Sequence, residues 1–390
     1  MAYKLNILFV SANDPEEGSP HPEMAGIWLA SRGWPVHLLT AGCANRLFID
    51  TPLGRIPASG IPKHRGLGRI GWQLQMFWQI LRARLKGQTD IYYIEGSWVT
   101  PVALAALLFV ARRKIVYHTQ DYLEPARFWF RAAIEKGFAR RAGLVICNEP
   151  ARARFMASHY SLSQVPMVVR TALPAAWATP DRDPAVRKDL LTSLGLEDVP
   201  KWKLVLHQGV YSDVRCSDAL LRAVACLPHD YLVVFTGTLL NSHAEQLARN
   251  AARTLGLHKR TIFVSRRPFN ELLRITASCD IGILLYPDDG VGNFFQAPGR
   301  LTEYIGCGIP IIASHFPGLE LAVLKYDLGK VCDPQDPSSI AEALRLLGAR
   351  IEQRQESERV RLKNIAKGEL SYDSMAEKIE RYLLSLGHDE

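Results

Sequence analysis

The sequence contains no Cys-x-x-Cys pair, no apolar run long enough to cross a bilayer, and no acidic residue between Asp50 and Asp90. Each absence removes a class of explanation. The seven cysteines, Cys43, Cys147, Cys216, Cys226, Cys279, Cys307 and Cys332, are scattered and odd in number. That pattern predicts reduced core residues rather than a disulfide framework or a zinc site. The longest apolar run, Pro101 to Ala111, has about half the residues a spanning helix needs and predicts a buried helix. The N-terminal MAYKLNILFV carries one lysine and no small-residue cleavage site, so it does not read as a signal peptide. A cytoplasmic chain is expected. Internal repeats and low-complexity segments are also missing.

What is present is an ordinary globular composition over 390 residues, 48% hydrophobic and 22% charged, a length that implies two domains. The net charge of +8 is unevenly placed. Residues 1–175 hold 21 Lys+Arg against 11 Asp+Glu, and the remainder holds 26 against 28. The excess lies in the first half, which faces something anionic or presents a solvated basic face.

Short β-branched runs alternate with helical patterns. In the first half strands are expected at Leu5–Val10, Val36–Thr40, Ile91–Ile94, Lys114–Tyr117 and Leu144–Cys147, with helices at Glu23–Arg32, Pro101–Ala111 and Ala126–Arg141. A second series follows, with strands at Leu204–Leu206, Leu232–Thr236, Thr261–Val264, Ile281–Leu285 and Ile309–Ala313. Apolar strands separated by helices predict parallel sheets covered on both faces. The expected α/β organisation is a domain over 1–175, a proline-bearing linker over 176–202, a second domain over 203–370, and a helix over 371–390 that crosses back to the first. Two doubly wound domains in tandem place ligands at the carboxyl ends of their strands, in a cleft between them.

The most informative stretch runs from Gly290 to Asp336. Pro298 suits the first turn of a helix, and the amides of Gly299 and Arg300 then belong to its unpaired N-terminal set. Such a terminus attracts anions, and Arg300 adds a fixed charge. Glu303 follows one turn later on the same face. Amides and a guanidinium for a diphosphate, with a carboxylate nearby for a ribose diol, fit a nucleoside diphosphate.

The sequence Pro298-Gly299-Arg300-Leu301-Thr302-Glu303-Tyr304, followed by Gly306-Cys307-Gly308-Ile309-Pro310, resembles the donor-site signature of the family 4 glycosyltransferases. These are retaining enzymes with the GT-B fold of two Rossmann-like domains. The nearest subgroup pattern is proline-x-lysine-leucine-x-glutamate-tyrosine, with Arg300 here in place of lysine. Asp333-Pro334-Gln335-Asp336-Pro337 matches the family's entry to its next helix. The family often carries a second glutamate eight residues earlier. Phe295 stands there, and the resemblance implies that Asn293 takes over its polar contact.

By the same resemblance, Gly209 in His207-Gln208-Gly209-Val210-Tyr211 forms a phosphate-side turn, and Arg215 neutralises the departing diphosphate; a solvent-facing arginine beside Asp213 is the alternative. Gly237 and Thr238 fit a backbone approach to the nucleotide. Arg266, in Ser265-Arg266-Arg267, falls where the family seats the base, or forms a basic surface corner. Gly18, after the first strand, partly matches a glycine pair that lies against phosphates and acceptor. His118 and Asp121, ending another strand, are candidates for the transferred sugar or acceptor, although a strand-end histidine also serves as a structural hydrogen-bonder. Glu149 is a further candidate.

No metal cluster is read from the sequence. Asp288-Asp289 reads as a solvated loop, and arginines with helix amides suffice for a diphosphate, so metal-independent chemistry is expected. Lys63 to Lys86 holds six Lys+Arg with Trp72, Phe77 and Trp78, and Ile70, Leu74, Phe77 and Leu81 follow helical spacing. That suits an anionic membrane surface or a helix packed on the first domain. Nucleic acid is not expected, because no reading motif accompanies the charge. The resulting expectation is a sugar transfer from a UDP- or GDP-type donor to a glycan or lipid-linked acceptor. A nucleotide-sugar epimerase and a catalytically silent sugar-nucleotide-binding scaffold are the rivals.

Overall fold

A strand covered on both faces needs no polar side, and here the strands are apolar almost throughout. The structure is a computed structural model, which describes residues 4–13, 21–41, 47–62, 68–123, 125–177, 179–209, 211–236 and 242–387. It divides into two units: Met1–Trp177 with Tyr372–Glu390, and Ala178–Ser371.

In the first unit the strands are Ile7–Ser11 (β1), Val36–Ala41 (β2), Phe48–Thr51 (β3), Gly54–Ile61 (β4), Ile91–Glu95 (β5), Ile115–Thr119 (β6), Leu144–Cys147 (β7) and Met167–Val168 (β8). They form one sheet in the order β3-β4-β2-β1-β5-β6-β7-β8, parallel except for β3 against β4. β1, β5 and β6 are buried at every position. The β3–β4 hairpin is absent from the sequence reading: Pro52 and Pro57 mask its alternation, although Gly54, at φ +129°, is the turn signal it carries. The helix Tyr372–Gly387 belongs to this unit. Its Asp373 and Glu380 accept hydrogen bonds from the indoles of Trp28 (2.7 Å) and Trp34 (2.9 Å).

The second unit has six strands, Lys203–Gln208 (β9), Tyr231–Thr236 (β10), Thr261–Val264 (β11), Ile281–Leu284 (β12), Ile311–Ser314 (β13) and Gly329–Cys332 (β14), all parallel in the order β11-β10-β9-β12-β13-β14. Alternate residues of each strand enter separate cores on its two faces: Leu204, Val234 and Ile311 on one, Val205, Val233 and Ile312 on the other. Asp183 and Asp336 cap helices that begin with proline, Pro184–Thr192 and Pro337–Lys367.

Three expectations are corrected. Most of 176–202 is not a free linker, because the helix Pro184–Thr192 packs against the helix Phe269–Ser278. Its buried Arg187 donates to Asp280 (2.9 Å), to Asp198 (3.1 Å) and to the Trp202 carbonyl (2.7 Å). The run Pro101–Ala111 is not wholly a buried helix: the helix is Thr100–Ala106, and Leu108 and Phe109 are 51% and 80% exposed. In the helix Gly68–Leu85 the core face is Trp72, Met76 and Ile80, while Leu74 of the expected stripe is exposed. No described helix is long and apolar enough to cross a membrane. Of the six described cysteines, all unpaired, five are buried and Cys226 is exposed; Cys43 lies outside the described residues.

Candidate functional site

In the second unit the chain leaves β9 on one side through β10 and β11, then returns on its other side at β12. The carboxyl ends of β9 and β12 therefore flank a topological switch point, where doubly wound sheets bind ligands. Gln208 ends β9 and Gly209 follows it. The backbone of Gly209 is at φ +130° and its amide donates to Thr236 O at 2.7 Å. A β-carbon there would sit 3.3 Å from Arg300 Nη1, so both conformation and space favour glycine.

The helix Gly299–Gly306 opens beside this turn, with Pro298 as its N-cap rather than its first residue and Gly299 and Arg300 half-buried. Arg300 and Glu303 converge on one residue. The Arg300 guanidinium donates to the Gln208 carbonyl, and Glu303 Oε2 accepts from Gln208 Nε2 at 2.9 Å. Arg300 also donates to the Tyr286 hydroxyl at 2.5 Å. Both of these Arg300 acceptors are neutral, so neither cancels its charge. Burial opposes that charge, but Tyr286, Tyr304 and Glu303 outweigh it, and the guanidinium is held above its usual value.

Arg215 meets the same tyrosine from another direction, its guanidinium carbon 4.4 Å from the ring centroid. Tyr286 is itself fixed: its amide donates to Ser314 Oγ (2.8 Å), which donates back to its carbonyl (2.9 Å). Behind the Arg215 loop, Ser217 Oγ accepts from the Ser212 amide (3.1 Å) and bonds His207 Nε2 (3.0 Å). Burial, with the charges of Arg300 and Arg215, lowers His207 to about 3, so its imidazole is neutral.

Other candidates lie apart from this convergence. Asn293, on the short helix Val291–Phe294, donates to Asp289 Oδ1 at 2.7 Å, while Phe295 packs edge-on against Phe294. Arg266 is exposed after β11. Gly18, Gly237 and Thr238 lie outside the described residues.

In the first unit the corresponding switch point lies between β1 and β5, where Ser11, Glu95 and His118 share one row across the sheet. All three are buried. Ser11 Oγ donates to Glu23 Oε1 at 2.6 Å and lies 3.4 Å from Glu95 Oε2. Burial, then the neighbouring Glu23 and Asp121, push Glu95 well above the usual carboxyl range. His118 Nδ1 pairs with the Tyr93 hydroxyl (2.9 Å), and Nε2 has no hydrogen-bond partner among the described residues. Burial lowers His118 to about 3. Asp121 is exposed just beyond β6. Glu149 is removed from the candidates: it caps the helix Pro150–Tyr160 through the Arg152 amide at 2.5 Å.

Comparison with known proteins divides the chain at the same place. Residues 26–170 match the family described as Glycosyltransferase Family 4, and residues 198–368 match Glycosyl transferases group 1. The structure superposes on HepE of Anabaena in complex with UDP and glucose with a TM-score of 0.74 at 20% identity, over 98% of this chain and 100% of that one. This is a GT-B glycosyltransferase fold.

The same GT-B fold is found in the catalytic domain of starch synthase IV from Arabidopsis thaliana bound to ADP and acarbose, at a TM-score of 0.74, 13% identity and full coverage of both chains. Among curated relatives, a D-inositol 3-phosphate glycosyltransferase of Mycolicibacterium gilvum is 26% identical over 67% of this chain. That match spans 56% of the relative's length. Within the GT-B units, sequence reasoning passed over Gln208, Tyr286, Glu95, Glu23 and Ser11. The available signal was position: each strand end at a switch point is a site whatever residue occupies it. Among the described residues no group of His, Cys, Asp or Glu could hold a metal ion.

Proposed function

We propose that the chain is a cytoplasmic glycosyltransferase that moves a sugar from a nucleoside diphosphate to a glycan or lipid-linked acceptor, retaining the donor's configuration. The meeting of Arg300 and Glu303 on Gln208, beside the glycine turn after β9, supports this reading most. Glu303 takes the ribose diol, replacing its bond to Gln208. The Gly299 amide, Gly209 and the Arg300 and Arg215 guanidiniums take the diphosphate, with Tyr286 setting the arginine spacing. Arg266 and the loop with Gly237 and Thr238 take the base and the backbone side of the nucleotide.

When the bond between the anomeric carbon and the terminal phosphate oxygen breaks, negative charge grows on that oxygen. Two guanidiniums already in place stabilise it without reorganisation. The acceptor hydroxyl closes on the anomeric carbon as its proton passes to the leaving phosphate. A neutral His118 contributes an acceptor or donor at Nε2 rather than a charge, and Asp121 lies at the same strand end for a sugar hydroxyl. Since fixed arginines carry the phosphate charge, activity should persist in EDTA.

The donor class is supported by the UDP and UDP–glucose complexes of the Anabaena protein, with a UDP- or GDP-type nucleotide as the expectation. A melting-point screen with UDP, GDP, ADP and TDP tests it, because a ligand that binds only the folded state raises the Tm by mass action. One nucleotide should stand out, and Glu303→Ala should weaken it about 10- to 100-fold, the range for a charged hydrogen bond. Unchanged affinity would refute the assignment. Phe295, in place of a glutamate, favours a second reading, a protein that binds nucleotide sugar without turning it over. Nucleotide binding with no product across a panel of acceptors would select that one.

A further inference from the structure

One hydrogen bond in the first unit's sheet has a direction that its surroundings dictate. Phe9 and Ser11 lie on one face of β1, and Tyr93 and Glu95 on the matching face of β5. The parallel register sets Phe9 beside Tyr93, with Ser11 and His118 on either side of Glu95. The Phe9 and Tyr93 rings stack with centroids 4.7 Å apart and planes 19° apart, which fixes the phenol. Tyr93 is fully buried, and its hydroxyl meets His118 Nδ1 at 2.9 Å.

Either group could supply the proton of that bond. Burial, then the neighbouring Tyr372 and Glu95, raise Tyr93 well above the usual phenol value, so its hydroxyl keeps its proton. Among the described residues, His118 Nδ1 is the one hydrogen-bond partner of that hydroxyl. The Ser11 hydroxyl is engaged with Glu23, and the buried Tyr372 hydroxyl takes no bond. A proton on Nδ1 would point at the phenol oxygen and leave the phenol proton buried without an acceptor. With Tyr93 donating to Nδ1, both atoms are satisfied. His118 is neutral, since burial lowers it to about 3, so its single ring proton then sits on Nε2. That nitrogen is buried and has no partner among the described residues. A buried N–H without an acceptor is rare and calls for an oxygen from elsewhere.

We infer that Tyr93 is a positioning residue that holds His118 as the Nε2–H tautomer, so that the carboxyl end of β6 offers a hydrogen-bond donor, not a base, to an oxygen of a bound sugar. The tautomer follows from register and hydrogen bonding alone; the sugar rests on the transferase reading. Tyr93 acts only through His118, by denying Nδ1 a proton. In this form the imidazole has no free lone pair with which to take the acceptor's proton. That agrees with the proton's passage to the leaving phosphate.

The test uses the full chain with isotope-labelled histidine and long-range nitrogen–proton correlation spectra at neutral pH. His118→Gln serves only to assign the His118 signals. His118 should show the Nε2–H form with no second tautomer. Tyr93→Phe keeps the stack on Phe9 and should raise the minor tautomer at least about tenfold, as loss of one hydrogen bond implies. Unmoved signals from the other histidines would show that the variant is folded. A wild-type Nδ1–H form, or a tautomer ratio unchanged in the variant, would overturn the inference. Should the variant unfold, the wild-type Tyr93 hydroxyl proton decides: a cross-peak to Nδ1 supports the inference, and a proton on Nδ1 refutes it. Saturating UDP–glucose should shift the Nε2–H proton where UDP does not, or the GDP pair where the melting screen selects GDP. A shift with neither member of the pair removes the sugar contact. If no nucleotide raises the Tm, the transferase reading fails and the tautomer stands. A wrong tautomer beside a normal nucleotide response fails this inference alone.

Discussion

Tyr286 shows how one side chain can govern two charges. Its hydroxyl accepts from Arg300 and its ring faces Arg215. Two guanidiniums repel one another, and a fixed ring with a negative face offsets part of that repulsion. Tyr286→Phe keeps the ring contact and loses the hydrogen bond; Tyr286→Leu loses both. Nucleoside diphosphate affinity should fall about 3- to 10-fold in the first and further in the second, while nucleoside affinity stays level. Isothermal titration with UDP and uridine separates these outcomes. Arg215→Ala should act instead on the chemical step, lowering kcat by about 100- to 1000-fold with a smaller change in KM, as loss of a leaving-group contact does.

At the scale of elements, the position of the helix Gly299–Gly306 depends on a residue that contacts no phosphate. The Tyr304 ring lies so close to β12 that a β-carbon on Gly282 would be 2.3 Å from it. Gly282→Ala must push that ring, and with it the helix that carries Arg300 and Glu303. A cost of about 1–3 kcal/mol is expected, with a parallel loss of nucleotide affinity. A melting curve with and without nucleotide checks both.

Here the reach of sequence reasoning is also visible. The parallel strands and the Pro298–Glu303 segment were legible, because β-branched periodicity and a helix-start signature are local signals. The partners of that segment were not. Gln208 stands 95 residues from Glu303 in the chain, and only the sheet order brings them together. Helical spacing near Leu74 marked an apolar stripe without saying which stripe packs inward; two competed, and packing selected Trp72, Met76 and Ile80. Glu149 looked like a site residue because a strand end also opens a helix, and the cap took the carboxylate.

For the molecule as a whole, buried titratable groups set opposite limits on stability. His118 and His207 are held near 3, burial being the main cause in each, whereas the unfolded chain titrates at about 6.5. Between these values the unfolded state binds more protons, so stability is full above the upper value and is lost as pH falls toward the lower one. Glu135 acts the other way. Burial, partly opposed by bonds from Tyr117 and Tyr160, pushes it up to about 7 from 4.5. The folded state then keeps a proton the unfolded state has released, and stability is lost as pH rises through that interval. Each shift is worth on the order of a few kcal/mol when fully developed. Melting curves against pH should therefore form a dome. Glu135→Gln, which preserves the acceptor for Tyr117, should flatten its alkaline side, and His207→Gln its acid side; an unchanged profile would contradict the burial argument.

The helix Tyr372–Gly387 supplies the acceptors for Trp28 and Trp34, yet it is separated from them by the entire second unit. On the ribosome those indoles emerge before the second unit and their partners after it. The second unit, continuous in sequence, can thus be finished while the first is still waiting for its closing piece. A nascent chain halted before Tyr372 should resist protease in its later half and yield in its earlier one.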